Sequence, residues 1–189
     1  MKKIGTVIKS NSHLEYVVQL LNPRTNLAAS DYALGAFVII GDKTVGIIYD
    51  TELSNPNNLI ISSQKEELKV YAPDLQDEID ILLKVLLLGT IETNNNLISG
   101  NQNIPSELLE AGIEVKQASI EQIKQFHFSQ EDKVQVKYLV NLNNFGSKLN
   151  PGLFRCISSQ LKNILSEEQY RIIETIERNL LWTSLCKTD

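Results

Sequence analysis

Cysteine is nearly missing from this sequence: Cys156 and Cys186 are the only two. That excludes a disulfide-stapled scaffold, and free thiols are expected at both positions. Histidine is as scarce, with His13 and His127 far apart. Neither has a partner ligand at helical or hairpin spacing, so no metal site is expected. His13 reads as a surface turn and His127 as a helix end. No apolar run approaches the ~20 residues that cross a bilayer. The longest, Ile79 to Ile91, is broken by Asp80 and Lys84. The opening Met-Lys-Lys-Ile-Gly has no apolar stretch behind its lysines, so no signal peptide is expected. A cytoplasmic chain with no membrane partner is the expectation.

Catalytic signatures are missing too. A phosphate loop needs a glycine, four intervening residues and then Gly-Lys-Ser/Thr, so that backbone amides can cradle the phosphates. Gly41-Asp42-Lys43-Thr44 puts Asp42 between glycine and lysine, and Gly146-Ser147-Lys148 also fails. Cys156 and Cys186 have no histidine nearby to act as base. Asp74, Asp77, Glu78 and Asp80 lack the glycine and alternating ligands of a calcium loop, and read as a solvated helical face. No enzyme, catalytic residue or cofactor is therefore expected.

What the chain does have is aliphatic: 42% of its residues are hydrophobic and only 6% aromatic, enough for an ordinary core of Leu, Ile and Val. The charge is unevenly placed. Residues 1–119 hold 9 Lys and Arg against 15 Asp and Glu, whereas residues 120–189 hold 9 against 8. An acidic first part repels phosphate backbones, so nucleic acid is not the expected partner.

The apolar period changes along the chain. Leu14, Tyr16, Val18 and Leu20 alternate with Glu15 and Gln19, as in a half-buried strand. Gly35–Ile40 and Thr44–Tyr49 flank Gly41-Asp42-Lys43 as a hairpin. Leu59–Ile61 is a short apolar piece, strand or helix start, and Asn94–Asn96 is a loop. Leu82–Leu88 reads as a buried strand ending at Gly89, and Gly112–Ala118 as one more strand. Short strands between regular turns predict a small barrel or sandwich. From Ser119 the period becomes helical. Ser119 caps Ile120–Phe126, and Asn150-Pro151 opens a helix striped by Leu153, Ile157, Leu161 and Ile164. Ser166-Glu-Glu-Gln169 has the form of a capping box before a second stripe, Ile173, Ile176, Leu180 and Leu181. These two helices are expected to pack as a hairpin. Residues 131–142 fit strand or helix, and helix is favoured by their neighbours. The predicted class is α+β: a small N-terminal β-barrel over 1–119, then a C-terminal helical domain over 120–189.

The first part resembles the HAS barrel, the N-terminal barrel of HerA-type DNA translocases and of rotary ATP synthase catalytic subunits. The residues that carry the likeness are Ile4-Gly5-Thr6-Val7, the polar turn before Leu14–Val18, Gly35–Ile39, Val45–Ile48, Leu82–Gly89, Ile104-Pro105 and Gly112–Val115. The ATPase domain that follows the barrel in those proteins is replaced by about 70 mostly helical residues with no phosphate loop. The resemblance therefore implies an assembly collar or adaptor without ATP hydrolysis, self-associating or docking on a protein partner. By analogy, that partner is a HerA-type ATPase or a nuclease. Candidate contact residues are Tyr32 and Phe37 near the barrel hairpin, and Leu181, Trp182 and Leu185 on the last helix. The alternative is a nucleic-acid-associated small barrel, since such barrels bind single strands through aromatic and basic side chains.

Overall fold

The computed structural model describes residues 2–21, 28–54, 80–94, 97–129, 133–145 and 151–185. Among these residues seven strands come first: β1 (Lys3–Ser10), β2 (Glu15–Leu20), β3 (Phe37–Ile40), β4 (Thr44–Ser54), β5 (Asp80–Asn94), β6 (Leu97–Asn101) and β7 (Glu114–Gln117). Four helices follow: α1 (Ile120–His127), α2 (Tyr138–Asn144), α3 (Pro151–Lys162) and α4 (Glu167–Leu185). The order β2-β1-β7-β3-β4-β5 closes on itself because β5 also pairs with β2. A six-stranded antiparallel barrel results, with β6 added outside the ring on the far end of β5. The chain is thus an α+β protein, a closed N-terminal barrel followed by helices.

Strand alternation sorts the apolar side chains into two cores. Ile4, Tyr16, Val18, Val38, Ile40, Ile48, Leu83, Val85, Leu87 and Val115 fill the barrel interior. Phe37, Ile39, Val45, Ile47, Tyr49, Leu86 and Leu88 point outward from β3, β4 and β5. Leu139 and Leu142 of α2, Leu153, Ile157 and Leu161 of α3, and Ile173 of α4 cover them. That is why Phe37–Ile40 and Thr44–Tyr49 are apolar at nearly every position rather than at every second one. Fully burying one such aliphatic or aromatic side chain stabilises the fold by about 1.5–3 kcal/mol.

Local signals place the helices. Ser119 Oγ accepts the Gln122 amide at 3.2 Å, and Gln122 Oε1 accepts the Ser119 amide at 3.0 Å, a reciprocal cap. Ser166 and Gln169 repeat it at the start of α4. Helices α3 and α4 fold back on one another, with Ser158 Oγ 3.0 Å from Tyr170 Oη across the pair. Gln160 Nε2 ties α3 to the barrel by donating to the Gly35 carbonyl at 2.6 Å.

Several expectations change. The strand expected to stop at Gly89 runs on to Asn94. A side chain at Gly89 would stand 2.1 Å from the Asn101 carbonyl oxygen, and its lack lets β6 lie alongside. Residues 97–101 are a strand, whereas the sequence marks only a loop before them. The expected helix over 131–142 begins only at Tyr138; ahead of it Val134 bridges Phe128 as extended chain. Asp80 opens β5 instead of closing a helical face. Asp74, Asp77, Glu78, Leu59–Ile61, Asn150 and Cys186 lie outside the described residues.

Candidate functional site

Of the residues singled out for contact, Trp182 stands 70% exposed on α4. Ile172, 55% exposed, lies ten positions earlier on the same helix, about 80° round its axis at 100° per residue. The intervening Ile173 faces the core. Helix α4 is therefore packed along one side and carries two large apolar side chains on another. Leu181 and Leu185 fall on the same helix, but their side chains lie outside the described residues. Tyr32 is half-buried, against the barrel-interior cluster. Phe37 is only 2% exposed. Its ring points out of the barrel, where α1 and α2 cover it, so it offers almost no surface to a partner.

Phe37 instead forms the floor of a groove of about 420 Å³ between barrel and helices. Leu34, Ala118, Ile120, Ile164 and Gln160 line it, and no charged side chain does so among the described residues. Ile120, 67% exposed, stands on its rim.

Around Phe37 lies a buried aromatic and polar cluster that no sequence spacing announces. His127 closes α1 with its ring wholly buried. Its Nδ1 lies 2.7 Å from the Ile123 carbonyl and its Nε2 2.9 Å from the Tyr138 hydroxyl. The rings of Phe37 and Phe126 meet the imidazole edge-on at centroid distances of 5.4 and 5.3 Å. Burial holds the His127 pKa down at about 4, against a small upward pull from the Ile123 carbonyl. Burial also raises the Tyr138 hydroxyl far above the usual phenol range. Gln102 locks the same region. Its Nε2 donates to the carbonyls of Phe126 at 3.0 Å and Gln135 at 2.8 Å, and its Oε1 accepts the Lys137 amide at 2.7 Å. Gln135 in turn donates from Nε2 to the Gly100 carbonyl of β6 at 2.8 Å.

A second buried polar pair joins β2 to β4. The Tyr49 hydroxyl donates to the Glu15 carboxylate, which also accepts from Asn11 Nδ2 at 3.1 Å. Burial first, then the bond to Glu15 and its charge, keep the Tyr49 proton in place. Tyr49→Phe removes a donor from a buried carboxylate and is expected to cost about 1–3 kcal/mol, read as a lower urea midpoint with the m-value unchanged. Both polar pairs hold layers together. Among the described residues no group of three His, Cys, Asp or Glu side chains is arranged to hold a metal. No helix among them is long and apolar enough to cross a membrane.

A family model described as "Domain of unknown function (DUF8166)" matches residues 1–188. The chain belongs to that family. No curated protein matches it.

Proposed function

We propose that this member of the family is a non-enzymatic adaptor or assembly protein that binds a protein partner through the outer side of α4. The exposure of Trp182 carries this reading. Trp182 is left 70% in water and Ile172, about three turns earlier on the same helix, 55%, so a partner lying along α4 would remove both side chains from water. Tryptophan is also among the residues that most often dominate interface energetics. The likeness to the HAS barrel adds the class of partner: a HerA-type ATPase or a nuclease, with a further copy of the chain as the self-association case. The cytoplasm is the compartment in which such partners would be met.

Affinity purification of the full chain from its native cell, paired with the Trp182→Ala variant, tests the reading. The variant is expected to keep its thermal midpoint, because the lost side chain supports little of the core. It is also expected to lose about tenfold or more in affinity for the recovered partner, or for itself in light scattering. Equal recovery by both proteins sinks the proposal. Salt-sensitive binding of a labelled oligonucleotide, unchanged in the variant, would favour the small-barrel nucleic-acid reading instead.

A further inference from the structure

His127 sits where only one proton arrangement works. The Ile123 carbonyl can only accept, so Nδ1 bears the ring hydrogen. Nε2 is then an acceptor, and the Tyr138 hydroxyl donates to it. A second proton on the ring must go to Nε2, the atom Tyr138 already occupies. The Tyr138 oxygen can then accept from Nε2 only by turning its own hydrogen away from the ring, and a full positive charge is enclosed where no water reaches.

Nothing described nearby receives the new charge. The ring's neighbours are Phe37 of β3, Phe126 of α1 and Tyr138 of α2. The charged side chains on the elements around it, Glu121 and Lys124 of α1, Lys133 and Lys137 of the connection, and Arg155 and Lys162 of α3, are exposed and form no bond with the imidazole, and Glu92 of β5 bonds to Thr90 and Asn101 instead. Glu15 and Tyr49, the other buried titratable pair of the outer core, bond to each other. Protonating Glu15 neutralises it and adds no buried charge. Among the described residues Glu15 and His127 are the buried carboxylate and imidazole, and both bond to side chains of the outer core, so acid has no comparable handle inside the barrel.

We propose that His127 and Tyr138 form an acid-operated latch, whose protonation frees α1 and α2 from the outer face of the barrel while the barrel stays closed. The opening uncovers the side of Phe37 that meets His127 and Tyr138, while α3 and α4 stay on the rest of that face. The inference is independent of the partner reading above. The direction follows from the proton count. The closed form holds His127 neutral down to about pH 4, whereas the freed ring takes up a proton near 6.5. The closed form is therefore fully favoured above about pH 6.5, and opening becomes up to tenfold easier for each pH unit from there down to about 4.

Hydrogen exchange on the full chain between pH 7 and 4.5, corrected for the intrinsic exchange rate, reads this directly. Amides of α1 and α2 are expected to lose protection steeply below about pH 6, while those of β1, β2 and β7 keep theirs. In His127→Gln, which offers a donor and an acceptor but does not titrate, the α1 and α2 amides should exchange independently of pH over that range. Parallel loss in barrel and helices, or an unchanged pH slope in His127→Gln, overturns the latch. Should that variant not fold, the His127 ring-proton resonance of the natural chain decides. Titration near 6.5 with α1 and α2 still protected overturns the proposal, and a neutral ring until protection is lost supports it.

Discussion

Phe37→Ala is expected to lower the thermal midpoint by about 6–20 °C. The ring is 2% exposed and fills the space between β3 and the helices. Truncating a buried phenylalanine costs about 3–5 kcal/mol, the lost transfer energy plus the cavity left behind. For a chain of this size, each kcal/mol moves the midpoint by about 2–4 °C. The loss is compounded locally, because His127 and Tyr138 both meet this ring edge-on and lose the wall that keeps water from their bond. Phe37→Leu, which keeps most of the volume, should cost well under half as much. Ile8→Ala is the control: its side chain lies 39% exposed on β1, so the midpoint should move by no more than about 2 °C. A Phe37→Ala midpoint within 2 °C of the natural chain would show that the helices do not seal the outer face of the barrel.

Gly100→Ala is the second large effect, and it works by intrusion rather than by a void. A Cβ at position 100 would lie 2.1 Å from the Phe126 carbonyl oxygen and 2.6 Å from its carbonyl carbon and Cα. All three atoms are backbone, so no side chain can swing aside to make room. Either β6 must leave β5, or the end of α1 must lift and take His127 with it. Overpacking of this kind costs about 3 kcal/mol, at the upper end of its usual range. Denaturant unfolding should report that loss, and near-ultraviolet circular dichroism should show the tyrosine and phenylalanine environment loosening first. Natural stability in Gly100→Ala would mean that β6 and α1 do not approach as closely as described.

Local rules made part of this architecture readable. The caps at Ser119 and Ser166 follow from a hydroxyl and a carboxamide three residues apart, and the Gly41–Lys43 turn from two apolar runs separated by three residues. Double burial was also written in the chain: Phe37–Ile40 and Leu82–Leu88 do not alternate, as a strand with one wet face would. The burial of Phe37 is not legible, because a lone hairpin cannot say which element will cover its outer side. Strand β6 leaves little trace in the sequence because Leu97–Asn101 is short and contains a glycine, and its pairing depends on close approach to Gly89 and α1. Around residue 134 both readings held in part, extended at Val134 and helical from Tyr138. The bond between His127 and Tyr138 spans 11 positions across a loop, where no periodicity operates. The exposure of Trp182 depends on how α4 packs, which its own stripe does not fix.

The bond from Gln135 to Gly100 bears on how the sheet ends. A carboxamide carries the same donor and acceptor as a peptide group, and here it fills the place a neighbouring strand would take on β6. A stray chain seeking to extend the ladder at Gly100 must first evict that side chain. Strand β6, outside the closed ring of the described strands, thus has its own built-in stopper against fibrous stacking, made from an uncharged residue rather than from the lysines or prolines that commonly guard such margins.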